Sequence, residues 1–595
     1  MRGRLKLQEW IHGLEMGAGA GYVRGLLALA AFAMVALLYD SFCFRNFTNP
    51  EAMDAAQLGR NIGEGQGYTT LYVRPLSLAL MREHRADQSA LLHEGHPDIS
   101  NPPVYPLLLA PLLRLTPAPG DLAAVRRFTV YEPNLFIVVL NQGLFWLGAL
   151  LVFRLTLLWF DRPAAWVAAI LFVLTELYWR FTMSGLSTIL VMDWVLLLVW
   201  LLSRLERGCR GNAGAGSLFL QALAVGAVTG LAALTRYSLA WLIVPVLIFV
   251  ARVAVGRRLA LVIAVAGAFA LLVTPWVVRN TALSGLPFGT ATLAPLEGTE
   301  VFPGDTLERS LAPGFMSEPG ETLGMFWQVI YKTVPHLREI VVNSLPRMGG
   351  NWMGAFFLAG LLVRFQNVNL SRVRWFVVGA LALMIPVQAV LQTHLSTGSP
   401  EVNSENLLVL FSPLILVFGV GLFFVLLESW QLPTPLLRMA AITGFVALIS
   451  LPLLLAVLPP RPRPYAPPYY PPRLQQVSRY LNERELLMTD IPWAVAWYGQ
   501  RQAIGLTLDW KEAFAQIHDA QKPINGLFIS TRTTDAKFWS EWFAGENRGW
   551  GKFLLQSFVQ QEVPDGFPLR ESPNGLLAKG ELLLMDRAHW SGEKK

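Results

Sequence analysis

The sequence predicts a polytopic α-helical membrane protein with about eleven spanning helices and a small C-terminal α/β domain. Of its 595 residues, 53% are hydrophobic and only 15% are charged, whereas soluble domains carry about 25% charged residues. Apolar runs recur from Tyr22 to Val457, and a more polar region follows them. The net charge of +7 accompanies no nucleic-acid-binding motif, so we expect a lipid bilayer and no nucleic acid as a partner.

A spanning helix needs about 20 mostly apolar residues. The candidate spans are Tyr22–Phe42, Pro133–Thr156, Pro163–Thr182, Leu186–Ser203, Leu218–Thr235, Leu239–Val253, Leu259–Val278, Gly350–Val363, Trp375–Gln392, Leu407–Leu427 and Leu436–Val457. The first follows a basic N-terminus and carries no small-residue cleavage site, so we interpret it as an uncleaved signal anchor.

The apolar segment Val104–Leu115 decides the topology. It has only about twelve residues between prolines, a length typical of a re-entrant or interfacial helix. If it does not span, every short basic connection falls on one side, which is the cytoplasmic side. These connections contain Arg2, Arg4, Lys6, Arg154, Arg162, Arg204, Arg207, Arg210, Arg252, Arg257, Arg258, Arg364, Arg372, Arg374 and Arg438. We therefore expect a cytoplasmic N-terminus.

Three larger polar regions then share the outer face. We predict a transmembrane domain over residues 1–458, with outer loops at 43–132 and 279–349. A proline-rich linker at 459–473 precedes an outer α/β domain at 474–595, which we expect to support the protein or bind an acceptor. Within the second loop, the apolar residues of LGMFWQVIYKTVPHLREIVVNSL recur at helical spacing, which is typical of an amphipathic helix at the membrane interface.

The first outer loop is dense in groups that can do chemistry. Helical spacing from Glu51 to Arg60 places Glu51 and Asp54 on one face. A carboxylate near a low-dielectric surface can act as a general base toward an acceptor hydroxyl. A nearby guanidinium can hold a phosphate through two N–H groups.

Further arginines end two later spans on the outer side. Arg236 ends VTGLAALTR, and Arg279 with Asn280 ends LLVTPWVVRN. Outward arginines run against the inside bias of basic residues. Beside an acidic loop, they fit a site that holds an anionic headgroup.

Five motifs, in their order and sidedness, resemble the GT-C superfamily of membrane glycosyltransferases. Within it, the chain is most similar to the bacterial family related to protein mannosyltransferases and the aminoarabinose transferase of lipid A. The motifs are EAMDAAQLGRNIGEGQGY, NPPVYPLLLAPL, GLAALTRYSLAWLIVP, TPWVVRNTALSGLPF and WAVAWYGQRQAIGL, and the match covers most of residues 20–430. The resemblance implies a GT-C-like transmembrane domain in the bacterial inner membrane, with a periplasmic C-terminal domain.

The resemblance also implies a reaction. A sugar would pass, with inversion, from a polyprenyl-phosphate donor to a periplasmic acceptor, which would be a glycolipid, a polysaccharide or a protein. Glu51, or else Asp54, would deprotonate the acceptor hydroxyl. The implied donor-phosphate residues are Arg60, Arg74, Arg236 and Arg279, and the implied substrate-binding residues are His96, Asp98, Asn101, Tyr105 and Asn280. No cofactor is certain, and use of a divalent cation is left open.

The chain departs from the family pattern at three places. Ser187 and Thr188 stand where the family often carries a second acid. Glu405 and Asn406 replace a frequent arginine–tyrosine pair, and an asparagine replaces a lysine before the proline pair. Metal use, the phosphate contacts and activity itself therefore stay open. Two other classes remain: a membrane transporter or lipid flippase, and a non-catalytic scaffold with the GT-C fold.

Overall fold

A computed structural model describes residues 18–85, 92–93, 95–116, 130–311, 319–348, 352–363, 367–393, 395, 401–430, 432–459, 468–534, 548–573 and 580–588. The predicted basic N-terminus, Arg364 and most of the proline-rich linker lie outside these residues.

The first part of the chain forms one long helix followed by short elements. These are α1 (Ala18–Cys43), α2 (Pro50–Gly63), β1 (Thr69–Thr70), β2 (Tyr72–Val73), α3 (Pro75–His84), β3 (His96–Pro97) and α4 (Val104–Arg114). Helix α2 begins with a proline at its first position and an acidic residue in its first turn. A proline at this position costs no intrahelical hydrogen bond, because the first N–H groups of a helix have no acceptor within it. A carboxylate in the first turn is stabilised by the helix dipole. The predicted short helix after Val104 is confirmed.

The middle of the chain is a series of apolar helices. They are α5 (Glu132–Trp159), α6 (Arg162–Leu174), α7 (Glu176–Ser184), α8 (Thr188–Arg210), α9 (Ala215–Thr235), α10 (Ile243–Val253) and α11 (Arg258–Ser284). The carboxylate of Asp161 caps α6 by accepting a hydrogen bond from the Ala164 amide at 2.9 Å. Gly185 ends α7 at φ 77°, a backbone conformation that favours glycine.

The second loop and the last membrane helices follow. They contain α12 (Thr306–Arg309), α13 (Pro319–Glu339), α14 (Leu345–Arg347), α15 (Trp352–Leu362), α16 (Val368–Leu391), α17 (Ser412–Ser429) and α18 (Pro435–Val457). Helix α13 confirms the helical pattern predicted in the second loop. Its Phe326, Trp327 and Tyr331 side chains are exposed; that they lie at a membrane interface stays a prediction.

All eleven predicted spans correspond to helices, but they differ in length. Eight are long and apolar enough to cross a bilayer, and the bent pair α6–α7 would be a ninth. The two others are the shorter apolar helices Tyr237–Val253 and Met353–Leu362. The chain is therefore a multi-pass membrane protein, as the composition indicates.

The C-terminal region forms a small α/β sheet domain, as predicted. Its elements are α19 (Pro471–Ser478), β4 (Leu486–Thr489), α20 (Pro492–Ala494), β5 (Gln502–Gly505), α21 (Glu512–His518), β6 (Ile524–Ile529), α22 (Thr531–Thr534), α23 (Arg548–Leu555) and β7 (Leu582–Met585). The strand order is β2-β5-β4-β6-β7, in which only the β6–β7 pair is antiparallel.

Strand β2 of the first loop is an edge strand of this sheet. Tyr72 pairs with Ala503 and Val73 with Ile504 in parallel register. The Ala503 amide also donates to the Leu71 carbonyl at 2.8 Å. The first loop and the C-terminal region therefore form one hydrogen-bonded unit, so the described sheet is not confined to residues 474–595.

The first loop, the second loop and the C-terminal region also share one apolar core. Val73 and Leu76 come from the first loop, Leu307 from the second, and Met488 and Trp550 from the C-terminal region, and all are buried in the same cluster. Burial of this kind is worth about 1.5–3 kcal/mol for each large side chain. The core therefore fixes the loops relative to one another above the membrane helices.

Arg60 joins α2 to the C-terminal domain. Its two terminal nitrogens donate to the carbonyls of Trp497 and Ala496 at 2.9 and 2.7 Å. Its guanidinium also lies over the Trp497 ring, 5.0 Å from the centroid. Arg60 is nine residues after Glu51, which at about 100° per residue puts it on the opposite side of the helix.

We predict that Arg60→Ala lowers the melting temperature of the purified protein. Two charge-assisted hydrogen bonds are lost, each worth about 1.5–3 kcal/mol. Thermal unfolding in detergent measures the shift, with Arg114→Ala, at an exposed position on α4, as the control. An unchanged melting temperature with weakened donor binding would instead support the phosphate role that the sequence implied for Arg60.

Candidate active site

A cavity of about 270 Å³ lies at the ends of the membrane helices that adjoin the two long polar loops. Its lining includes residues from both outer loops and from the ends of four spans. Those with polar side chains include Glu51, Asn101, Tyr105, Arg236, Ser404 and Glu405. Leu186, Leu391 and Leu407 complete the wall with apolar surface. The cavity thus places a carboxylate and a guanidinium in a partly apolar chamber at the membrane boundary.

Two glycines allow α2 to lie close to α4 at this cavity. A Cβ at Gly59 would lie 2.8 Å from the Leu109 Cβ, and one at Gly63 would lie 2.7 Å from the Ala110 carbonyl oxygen. Contacts this short would force the helices apart. The close approach brings Glu51 of α2 and Tyr105 of α4 to the same cavity.

Glu51 lies in the first turn of α2 and faces the cavity. The Ser404 hydroxyl donates a hydrogen bond to its Oε1 at 2.7 Å. The neighbouring Asn49 amide donates to the Val402 carbonyl at 3.2 Å. The segment before the α17 span therefore orients the carboxylate from the far side of the cavity.

Arg236 follows the last residue of α9 and is only 8% exposed. One terminal nitrogen, Nη2, donates to the Thr188 hydroxyl at 3.0 Å. Its Nε and Nη1 atoms are buried, and among the described residues neither has a hydrogen-bond acceptor. A buried guanidinium with unused donors is costly unless an anion completes its contacts. The negative charges of the Glu51 and Glu405 carboxylates favour the positively charged form of Arg236.

Glu405 also lines the cavity. Both oxygens of its carboxylate accept hydrogen bonds from the Thr393 amide, at 3.1 and 3.0 Å, and the Thr393 hydroxyl donates to the same group. Burial, with smaller contributions from Glu297 and Glu51, raises the pKa of Glu405 to about 7. The group can therefore change its charge near neutral pH.

Asp54 and Glu51 have different hydrogen-bond partners. Its Oδ2 accepts hydrogen bonds from Arg74 Nη2 and from the Asn101 amide, each at 2.8 Å. The Asp54 side chain is 1% exposed. Of the two carboxylates that the sequence proposed as base, only Glu51 is among the cavity residues.

Arg74 is the centre of a partly buried ionic cluster. Besides Asp54, its guanidinium lies 3.9 Å from Asp98 Oδ2 and 3.5 Å from Glu308 Oε1. It also lies over the Tyr72 ring, 4.1 Å from the centroid. The predicted donor-phosphate residue is thus engaged with carboxylates of both outer loops.

Asp98 shapes the turn that carries Asn101. Its Oδ1 accepts hydrogen bonds from the Ser100 and Asn101 amides at 3.1 and 2.8 Å. Burial and the nearby Asp54 charge raise the pKa of Asp98 to about 6, against the lowering effects of Arg74 and Asn101. This turn positions Asn101, which reaches the cavity.

Of the remaining predicted site residues, Tyr105 lines the cavity, whereas Arg279, Asn280 and His96 are not among its lining residues. Arg279 donates to the Asp98 carbonyl and to the Asn280 side chain, at 2.9 and 2.8 Å, and is stacked against Trp276. His96 is buried against the Ser77 hydroxyl at 3.1 Å. Tyr105, in the wall, donates to the Gly185 carbonyl at 2.9 Å. Their substrate-binding roles stay predictions.

A divalent cation was left open by the sequence. Within the described part of the chain, no group of three or more His, Cys, Asp or Glu side chains is arranged to hold a metal ion. The carboxylates of Asp54, Asp98 and Glu308 share the Arg74 guanidinium as their counter-ion.

Sequence reasoning did not assign Ser404, Glu405 or Thr393 to the site. Glu405 was recognised only as a departure from the family pattern, and Thr393 carried no signal. The usable signal was position, because all three lie between the α16 span and the α17 span, on the outer side that the topology predicts. Polar residues at the outer ends of spans are candidates for any site formed there.

Comparison with solved structures shows the same fold in known membrane enzymes. The archaeal oligosaccharyltransferase AglB from Archaeoglobus fulgidus, in complex with an inhibitory peptide and a dolichol-phosphate, aligns with a TM-score of 0.51 and 11% identity over 93% of this chain and 77% of that chain. The Archaeoglobus fulgidus oligosaccharyltransferase tethered to an acceptor peptide aligns with a TM-score of 0.50 and 12% identity, over 87% and 71% of the two chains.

A third alignment covers nearly all of this chain, at a lower TM-score. ArnT from Cupriavidus metallidurans, bound to undecaprenyl phosphate, aligns with a TM-score of 0.41 and 13% identity, over 97% of this chain and 100% of that chain. No protein-family profile and no curated protein sequence matches the chain. The likeness to the oligosaccharyltransferase confirms the fold that the motif resemblance implied.

We predict that the stability difference between the native protein and Glu405→Gln depends on pH. The folded state retains a proton on Glu405 up to about pH 7, whereas the unfolded chain releases it near 4.5. The resulting stabilisation is fully present below pH 4.5 and is lost as the pH rises to about 7. Relative to Glu405→Gln, the native melting temperature should fall by on the order of a few degrees across this window.

Thermal unfolding at a series of pH values measures this difference. Glu401→Gln is the control, because the Glu401 side chain is 62% exposed and does not line the cavity. A pH-independent difference for Glu405→Gln would mean that Glu405 titrates alike in the folded and unfolded chain.

Proposed function

We propose that this chain, which has the fold of the GT-C membrane glycosyltransferases, transfers a sugar from a polyprenyl-phosphate donor to an acceptor hydroxyl outside the membrane. Glu51 is the general base of this reaction. Arg236 holds the phosphate of the lipid, which is the leaving group. The acceptor is a cell-envelope glycolipid, polysaccharide or protein.

The observation that carries the proposal is the geometry of Arg236. It is buried in the cavity with its Nε and Nη1 atoms unused by the described residues, while Thr188 holds Nη2. A planar guanidinium fixed in this way presents its remaining donors to an oxyanion. Because α9 ends there, a lipid phosphate at the membrane boundary can reach them while its chain stays in the bilayer.

Glu51 acts on the acceptor, as the general base of the reaction. The acceptor hydroxyl gives its proton to the Glu51 carboxylate as its oxygen bonds to the anomeric carbon. The bond from that carbon to the phosphate oxygen breaks on the opposite side, so the configuration inverts. Negative charge develops on the departing phosphate, where the Arg236 guanidinium stabilises it.

The solved neighbours support the donor class. The Archaeoglobus fulgidus enzyme was solved with a dolichol-phosphate, and the present chain shares its fold. A lipid phosphate is also the ligand that suits an arginine at the outer end of a span. Asp54, Arg60, Arg74 and Arg279 all have protein partners in the structure. We therefore assign them to holding the loops around the cavity.

The distribution of basic residues supports an orientation. Arg204, Arg207 and Arg210 end α8 at the end opposite Thr188, which is at the cavity. Basic residues favour the cytoplasmic side. We therefore place the cavity and the α/β domain on the periplasmic side of a bacterial inner membrane, with the N-terminus in the cytoplasm.

We predict that Glu51→Gln reduces transfer by about 10²–10⁴-fold, because positioned acid–base catalysis contributes this much. The measurement is hydrolysis or transfer of candidate polyprenyl-phosphate sugars by the purified protein. Glu64→Gln is the matched control, since Glu64 follows the same helix and is exposed. Native turnover in Glu51→Gln, with loss in Asp54→Asn at an unchanged melting temperature, would move the role of base to Asp54.

We predict that Arg236→Lys lowers kcat by about 10²-fold, the usual cost of removing one donor to a developing oxyanion. Lysine keeps the charge but cannot present the planar fork. Steady-state kinetics with the donor varied measures the effect, and Arg180→Lys, at an exposed position of the same membrane face, is the control. Equal kcat in Arg236→Lys and the native protein would exclude Arg236 from the transition state.

A further inference from the structure

A second cavity, of about 610 Å³, lies at the other end of the membrane helices. Its lining contains Arg154 of α5, Arg204 and Arg207 of α8, and the apolar side chains of Leu157 and Trp200. We call it the basic pocket. Of the described residues that line it, none is acidic.

The basic pocket and the Glu51 cavity lie on opposite membrane faces. Helix α8 has Thr188 at one end, beside the Glu51 cavity, and Arg207 near the other. Helix α9 runs back, from near the basic pocket to Arg236. At about 1.5 Å per residue, the stretch of α8 from Thr188 to Arg207 separates the two cavities by roughly 30 Å, the thickness of the hydrocarbon layer.

The charge of the basic pocket is not neutralised by the nearest acid on the same helix. Glu206 is fully buried and is paired with Arg372 at 2.9 Å and Arg210 at 3.6 Å. It also accepts a hydrogen bond from the Asn369 amide at 2.6 Å. These contacts point Glu206 toward α16 and leave the three arginines of the pocket in excess.

The three arginines retain donors for a ligand. Arg207 donates through Nη2 to the Leu158 carbonyl, but its Nε is buried without an acceptor among the described residues. Arg154 and Arg204 are exposed, and Arg204 lies over the Trp200 ring, 4.8 Å from the centroid. Within the described chain, neither Arg154 nor Arg204 pairs with a carboxylate, so both can turn toward an anion.

An apolar stripe leads from the bilayer into the basic pocket. Leu147, Leu150 and Leu157 of α5 are 45%, 46% and 41% exposed. Their spacing puts them on one face of the helix together with Arg154. Leu220 of α9, next to the pocket residue Gln221, is also exposed. A ligand with acyl chains can lie on this stripe and present a headgroup to the arginines.

We infer that the basic pocket binds the phosphate headgroup of an anionic membrane lipid in the leaflet opposite the Glu51 cavity. Basic pockets between helices bind such headgroups through combined charge and hydrogen bonding. Arginines at the ends of membrane helices often extend to lipid headgroups without forming a pocket. Here the arginines line a cavity, and the buried Nε of Arg207 has no acceptor among the described residues. The apolar stripe favours a lipid over a free phosphate ion. The inference does not depend on sugar transfer.

The test is native mass spectrometry of the full chain in a neutral detergent, titrated with phosphatidylglycerol or phosphatidylcholine. We expect a preference for phosphatidylglycerol, and a loss of affinity of about tenfold or more in Arg154→Gln/Arg204→Gln, which removes two charges at the pocket. Arg438→Gln is the control, because Arg438 is an exposed arginine in the first turn of α18, outside the pocket lining. Its binding should match that of the native protein.

A competition arm distinguishes the two sources of phosphate. If a lipid is the ligand, inorganic phosphate in large excess leaves phosphatidylglycerol bound. Displacement by inorganic phosphate would assign the pocket to a free phosphate and overturn the lipid inference. Equal phosphatidylglycerol binding by the double variant and the native chain would overturn it as well, as would equal affinity for the two lipids. Because the readout is binding, a failure of sugar transfer leaves this result unaffected.

Discussion

The ionic cluster around Arg74 is the interaction on which the outer half of the molecule depends. One guanidinium joins Asp54 of α2, Asp98 of the first loop and Glu308 of the second loop, beside the strand that enters the C-terminal sheet. Removing one partner from a buried ionic contact typically costs about 3–5 kcal/mol, because the other charge is left uncompensated. The cluster therefore fixes α2 above the membrane. It also engages Asp54 and leaves Glu51 as the α2 carboxylate that faces the cavity.

In these low-dielectric surroundings, the arginines differ in whether the protein itself satisfies their hydrogen-bond donors. Arg74 is paired with carboxylates, and Arg60 and Arg279 donate hydrogen bonds to carbonyl and amide oxygens of the protein. Arg236, beside Glu51 and Glu405, has two buried donor atoms without an acceptor among the described residues. A charge left in that state is expensive in isolation. Binding an anionic phosphate would provide the missing contacts, which is the physical reason for placing the donor lipid there.

Much of the fold could be predicted from the sequence, because apolar runs and the inward bias of basic residues are local signals. The eleven apolar segments, the short helix after Val104 and the helix that carries Glu51 all followed from such patterns. Strand β2 could not be predicted. Its two residues are too few to show an alternating pattern, and its partner β5 is more than 400 residues away in the chain. Glu405 belongs to the site only through the packing of distant helices. The resemblance implied that Arg60 binds the donor phosphate. Arg60 lies nine residues after Glu51, however, and therefore on the other side of the helix.

A structure of the protein with a polyprenyl phosphate bound would show directly whether Arg236 holds the donor. We predict that the lipid phosphate lies within hydrogen-bond distance, about 3.2 Å or less, of Arg236 Nε or Nη1. The anomeric position of a donor sugar would then face the Glu51 carboxylate across the cavity. A phosphate bound at Arg60, Arg74 or Arg279, with Arg236 uncontacted, would contradict it.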